Sequence, residues 1–266
     1  MKRRLGNIER QLFAYTQLRG LTLLRTRDLT GPLGLTDKQE RELFSRLTRA
    51  GLIAQVQRGL YLVPPRLPLG GRWLPEEAQV LEALLAKREG RYQICGPNAF
   101  NRYGFDAQVP TRLYAYNDRI SGERRVGTLA FQLIKVATDR LGETERTRTA
   151  AGREAIYSSR VRTLVDAVYD WSRFNSLPRA YAWINTELKT GRVSTAELVR
   201  VTLRYGDSGC IRRIGALLEQ AGIADNLLAK LTRALRPSTS FIAWDPSAPK
   251  RGTLDRRWGI VRNFDA

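Results

Sequence analysis

The sequence predicts an α+β protein in two parts, and three observations carry that prediction. The segment from Thr26 to Val63 reads as a short polar helix, a turn, a basic helix and a two-stranded ribbon. A stretch with four prolines and two glycines in twelve residues, PPRLPLGGRWLP, then interrupts all periodicity. Beyond it, short runs of strand character give way near Val161 to successive helical segments. The expected architecture is an N-terminal winged helix-turn-helix followed by a mixed-sheet plus helical-bundle domain. Residues 1–65 would form the first domain, 66–74 the linker and 75–266 the second.

The elements follow in order. Leu5 to Leu18 is a first helix, with Ile8, Leu12, Phe13, Tyr15 and Leu18 on one side and Gly20 closing it. Thr26 to Leu33 is the short second helix, weakened at Gly31-Pro32. Thr36 is a good N-cap, and Gln39 three residues on completes a capping box. From there Leu43, Phe44, Leu47 and Ala50 make one apolar stripe on a helix that stops at Gly51. Ile53 to Gln57 and Leu60 to Val63 flank Arg58-Gly59, a hairpin signal. After the linker, helices are expected at Glu76–Arg88 and Pro97–Tyr103. Strands are expected at Tyr92–Cys95, Thr111–Tyr116, Arg125–Lys135, Arg146–Thr149 and Ala155–Ser158. Five helices follow, at Arg162–Trp171, Pro178–Thr190, Thr195–Tyr205, Ile211–Ala221 and Asp225–Leu235. Strands at Ser240–Trp244 and Trp258–Arg262 close the chain.

Composition narrows the function classes. The 266 residues carry 45 Lys and Arg against 26 Asp and Glu, a formal charge of +19 that favours polyanionic partners. Residues 1–75 hold 14 basic against 5 acidic residues, nearly half the excess in little more than a quarter of the chain. That is the distribution phosphate neutralisation requires. No run approaches the ~18 apolar residues of a spanning helix, so no membrane role is expected. The opening MKRRLGNIERQ lacks the apolar core of a secretory signal. Two distant cysteines, Cys95 and Cys210, suggest neither a metal site nor a disulfide framework, and a reduced cytoplasmic setting fits. Histidine is absent, which removes Ser-His-Asp, Cys-His and HExxH chemistry. No cofactor, metal or catalytic activity is expected.

For DNA contacts the candidates are Lys38, Arg41, Ser45, Arg46 and Arg49 of the basic helix and Gln55, Gln57 and Arg58 of the ribbon. Arginine reaches guanine bidentately or holds phosphate. The second helix of a winged helix-turn-helix is the one offered to the major groove. Lys2, Arg3 and Arg4 form a basic arm that would add phosphate contacts or simply solubilise the terminus.

Four phrases, in this order and spacing, resemble the AbiEi family of bacterial abortive-infection antitoxins, the antitoxin halves of type IV toxin–antitoxin systems. They are Arg58-Gly59-Leu60-Tyr61-Leu62-Val63, Gly96-Pro97-Asn98-Ala99-Phe100-Asn101-Arg102-Tyr103-Gly104-Phe105, Ser158-Ser159-Arg160-Val161-Arg162-Thr163-Leu164-Val165-Asp166 and Arg212-Arg213-Ile214-Gly215-Ala216-Leu217-Leu218-Glu219. The resemblance implies a phage-defence protein whose winged helix represses its own operon at operator DNA. It implies a C-terminal domain that counteracts a nucleotidyltransferase toxin without a stable complex.

Under that resemblance Arg160, Arg162, Asp166, Arg212 and Arg213 are candidates for the antitoxin surface. By spacing alone, Arg162 and Asp166 make an ordinary ion pair one helical turn apart. Gly206-Asp207-Ser208-Gly209, between Arg204 and Arg212, looks like a phosphate loop but lacks the following Lys-Ser/Thr. Glu187-Leu188-Lys189 has the Glu-x-Lys spacing of metal-dependent nucleases, though within a helical pattern. Trp171, Tyr181 and Trp183 read as core rather than as a base-stacking platform. The alternative is therefore a nucleic-acid-binding regulator or metal-dependent nuclease-like protein with no toxin linkage.

Overall fold

The computed structural model describes residues 5–67 and 72–263 and shows an α+β protein with helices and several sheets. In chain order the first elements are α1 (Asn7–Leu18), β1 (Leu23–Arg25), α2 (Asp37–Arg49), β2 (Ala54–Gln57), β3 (Leu60–Leu62) and α3 (Glu77–Ala86). Next come β4 (Tyr92–Ile94), α4 (Pro97–Arg102), β5 (Leu113–Asn117), β6 (Gly122–Val126), β7 (Leu129–Lys135), β8 (Thr144–Arg148) and β9 (Glu154–Ser158). The chain continues through α5 (Arg160–Tyr169), α6 (Trp171–Phe174), α7 (Arg179–Lys189), α8 (Thr195–Tyr205), α9 (Ser208–Gln220) and α10 (Asp225–Ala234). It ends on β10 (Ile242–Ala243), β11 (Thr253–Asp255) and β12 (Ile260–Arg262).

The chain divides into two compact units. The first gathers the described residues of Met1–Tyr92, Thr111–Thr138 and Thr147–Ala155, and the second gathers those of Gln93–Pro110, Asp139–Arg146 and Ile156–Ala266. In the first unit, residues 5–67 close a hydrophobic core of their own. Leu12 and Phe13 of α1, Leu24 of β1, Leu43, Phe44 and Leu47 of α2, and Leu29, Leu52, Ile53 and Val63 are all buried there. The strands order β1-β3-β2, antiparallel throughout, and Phe44 stacks on Tyr61 of β3 at 4.3 Å. Gly59 takes φ +75° in the two-residue turn, with the Thr26 hydroxyl 2.9 Å from where a β-carbon would stand. The same unit holds the β5–β7 strands: β5 runs parallel to β7, and β7 pairs antiparallel with β6.

Three expectations change here. Thr26 to Leu33 is not a helix: β1 occupies Leu23–Arg25, and turns follow to Gly34. The cause is a buried carboxylate, Glu40 of α2, which accepts the backbone N–H groups of Arg27 (2.6 Å) and Leu29 (2.9 Å). Asp28 takes a third, that of Arg25. Backbone donors satisfied from outside have no need of helical partners. On α1, Leu18 and Ile8 are exposed, and the buried stripe is Glu9, Leu12, Phe13 and Thr16. The expected strand Arg125–Lys135 is two, β6 and β7, folded back at Gly127, where φ is +60°.

In the second unit, α5 is surrounded by α7, α8 and α9, and Val161 through Val168 are all buried. A parallel contact joins Ile94 of β4 to Tyr157 of β9. The C-terminal strands order β10-β12-β11, so the expected closing pair gains a third strand. Trp258 lies buried on α9 where Gly215 leaves room: a β-carbon there would come 2.1 Å from the indole ring. The indole Nε1–H donates to Glu219 at 2.7 Å.

Candidate nucleic-acid interface

Helix α2 is built as the sequence implies. The Thr36 hydroxyl accepts the N–H of Gln39, and the Gln39 side chain returns a bond from the Thr36 N–H at 2.9 Å. Gly51, with φ +69°, ends the helix. With Glu40, Leu43, Phe44 and Leu47 turned inward, Lys38, Arg41, Ser45, Arg46 and Arg49 are all exposed. Arg41, Glu42, Ser45, Arg46 and Arg49 outline a shallow concavity open to solvent.

The cations of this face differ in their freedom. Among the described residues Arg41 and Arg49 bond only to carbonyls one turn back in their own helix, those of Asp37 and Ser45. Among the described residues Lys38, Arg41, Arg49 and Arg58 form no ion pair. Arg46 does: its Nε donates to Glu9 of α1 at 3.0 Å, and the Glu9 side chain is only 4% exposed. Glu9 also accepts the Gly6 N–H. Arg46 therefore clamps α1 to α2 through one edge of its guanidinium and keeps half its surface in water. On the ribbon, Gln55, Gln57 and Arg58 are exposed while Ala54 and Val56 face inward, with the strand register shifting between Gln55 and Gln57. Arg58 sits at the tip. Lys2, Arg3 and Arg4 lie outside the described residues.

Two site-shaping acids, Glu9 and Glu40, went unread in the sequence. Each heads a buried i, i+3, i+4, i+7 stripe: Glu9 with Leu12, Phe13 and Thr16, and Glu40 with Leu43, Phe44 and Leu47. That spacing was the signal available.

The five candidates for an antitoxin surface do not form one. Arg162 and Asp166 are fully buried, and Nε of Arg162 lies 2.8 Å from Oδ1 of Asp166. Arg162 also donates to the carbonyls of Gly142 and Arg140 and lies 3.9 Å over the Tyr205 ring. Burial pushes the Asp166 carboxyl upward, while the guanidinium groups of Arg162 and Arg140 pull it back down. Two cations face it, Arg162 at 2.8 Å and Arg140 at 3.6 Å. Arg212 and Arg213 are buried too, holding the carbonyls of Ser240 and Ala243 beside the C-terminal strands. Arg160 is half-buried between the Tyr103 ring (4.8 Å) and Glu187 (3.0 Å). The physical reason for Arg162 and Asp166 is the position of α5: Val161 to Val168 are all buried among α7, α8 and α9, so these two charges are interior braces.

The other motifs resolve structurally. Asp207 of the glycine-rich turn caps α9 by accepting the Cys210 N–H at 2.7 Å. Glu187 is buried in α7 and held by Arg160 and Arg192. Tyr181 stacks on Trp244 and is buried, and burial raises its phenol far above the usual value. Trp183 is only half-buried, against Phe100 and Phe105. Cys95 and Cys210 are both buried, and burial raises the Cys210 thiol strongly. Among the described residues no three His, Cys, Asp or Glu side chains are grouped to hold a metal ion, and no helix is long and apolar enough to cross a membrane.

Residues 15–64 match the model of a family described as transcriptional regulator, AbiEi antitoxin. No curated protein matches the chain. Among solved structures it is similar to the RV2827C protein from Mycobacterium tuberculosis, with 15% identity and a TM-score of 0.59 over 97% of this chain and 92% of that one. At that identity the likeness is one of fold.

Proposed function

We propose that this chain is a DNA-binding antitoxin of a type IV toxin–antitoxin system. Residues 1–65 act as a winged helix-turn-helix, with α2 as the recognition helix in the major groove and the β2–β3 hairpin as the wing. Through this module the protein represses its own operon. Residues 75–266, beyond the 66–74 linker, counteract a nucleotidyltransferase toxin without forming a stable complex. The setting is cytoplasmic, the biological role phage defence, and no step is catalytic. The observation that carries the reading is α2 itself. Among the described residues, Lys38, Arg41 and Arg49 on its outer face form no ion pair, over a core closed within residues 5–67 and inside the segment that matches the regulator family.

The test has two arms. Full-length protein is titrated against duplex DNA from upstream of its own gene and against random duplex, across ~50 to ~200 mM salt, where counterion release makes affinity fall steeply. Tight, salt-dependent binding that prefers the upstream duplex is expected, and salt-insensitive binding defeats the DNA reading. Co-expression with an adjacent nucleotidyltransferase gene, scored by growth, tests the antitoxin half.

The burial of Arg162, Asp166, Arg212 and Arg213 favours one second reading: a transcriptional regulator whose larger part serves no toxin. Failure of rescue with intact DNA binding would establish it. The nuclease-like alternative loses support, because Glu187 is already neutralised by two arginines.

A further inference from the structure

We propose that Arg124 and Arg125 of β6 hold DNA phosphates and extend the interface beyond the helix and wing. The inference rests on the DNA-binding reading above. Strand β6 lies at a sheet edge, paired on one side only, with β7. Its sequence, Gly122-Glu123-Arg124-Arg125-Val126, exposes its three charged residues. Within the first unit β6 runs beside β2, the outer strand of the wing, with Cα atoms within 8 Å.

A second route leads back to the basic helix. The Trp73 N–H donates to the Gly51 carbonyl, just past the end of α2, at 2.8 Å. The neighbouring Leu74 side chain reaches to within 3.7 Å of where a β-carbon on Gly127 would stand. Gly127 follows β6 directly, so residues 72–74 connect the C-terminal end of α2 to the turn beside Arg125. The two arginines thus sit next to both parts of the module that meet DNA.

Their charge is uncommitted. Arg112 is already paired with Glu123 at 2.6 Å. Among the described residues Arg124 bonds only to the Glu123 carbonyl at 2.7 Å, and Arg125 has no ion pair. Charged residues on an edge strand also guard it against pairing with another chain. The charges that keep this unpaired edge from joining another chain are also free to hold phosphate. A polyanion passing α2 and the wing is the ligand that two unpaired cations at this place fit.

The experiment uses the full chain. Arg124→Gln/Arg125→Gln, Arg124→Lys/Arg125→Lys and, as a charge control, Arg233→Gln/Arg236→Gln are compared with wild type on the upstream and random duplexes. Circular dichroism checks each fold. The Gln pair should weaken both duplexes alike by about tenfold at low salt and lower the slope of log K against log salt by roughly 1.8, at ~0.9 per phosphate lost. The Lys pair should keep the wild-type slope, and the control should change neither quantity. Unchanged binding by the Gln pair overturns the proposal, and so does an equal loss in the control. Loss confined to the upstream duplex overturns it as well, by making these base contacts. Absence of DNA binding in the wild type refutes the underlying reading instead.

Discussion

Helices α2 and α5 carry arginines on similar frames, and the same residue type meets opposite ends. Both begin at a hydroxyl cap, Thr36 or Ser159, that accepts the N–H three residues on. Helix α2 rests one face on a core and gives the other to water, so Arg41 and Arg49 stay exposed. Helix α5 is enclosed by α7, α8 and α9, so Arg162 arrives in the interior with its own carboxylate, two carbonyls and an aromatic ring. A buried cation must be paired because its lost hydration is otherwise uncompensated. A cation meant for phosphate must be unpaired in the free protein. Arginine content therefore says little until the number of neighbours around each helix is known.

The comparison can be broken most forcefully at Arg162. Arg162→Ala strips the fully buried Asp166 of its nearest cation, and should cost about 3–5 kcal/mol by urea denaturation. Arg162→Met combined with Asp166→Leu should recover most of that, since a packed apolar pair replaces the ions. A loss below ~1 kcal/mol for the single change would mean that α5 is more open than its burial implies.

Leu47→Ala tests the inward face of α2. It should cost roughly 2–5 kcal/mol as a core truncation and abolish DNA binding only through unfolding. If binding is lost with the melting temperature unchanged, Leu47 is facing the wrong way.

The outward face separates its arginines by a smaller effect. Arg46→Ala removes the partner of buried Glu9 and should cost about 1 kcal/mol, discounted because half of Arg46 is in water. Arg41→Ala and Arg49→Ala should change stability by less than ~0.5 kcal/mol while still weakening DNA binding. Equal thermal shifts for all three would remove the distinction between clamp and contact.

The smallest effect is a pH dependence. Hydrogen bonds from Arg200 hold the Glu143 carboxyl below the usual glutamate range. A carboxyl whose folded value is lowered stabilises fully above its unfolded value, and that contribution fades as pH falls through the folded one. Between pH 6 and pH 3 wild type should lose up to ~1 kcal/mol more than Glu143→Gln, since Arg200 is more than half exposed. Parallel pH profiles would show that the pair contributes nothing.

Much of the N-terminal part was written locally. The Thr36 cap, the apolar stripe of α2, the Gly51 stop and the Arg58-Gly59 turn are each set by residues within one or two turns of each other. The resulting split between exposed cations and buried leucines therefore followed from spacing alone. The failures have two sources, partners far along the chain and a strand without alternation. Thr26 to Leu33 had helical spacing, but Glu40 captured the backbone donors of Arg27 and Leu29. The β6–β7 hairpin was hidden because an edge strand of charged residues shows no alternation. Arg162 and Asp166 had the spacing of a surface pair, and so did Arg46 look like a free contact. The sequence by itself determined which helix is cationic and where it begins, turns and ends, because capping and periodicity are short-range. Only the tertiary structure decided which arginines remain free, because burial and pairing depend on neighbours far along the chain.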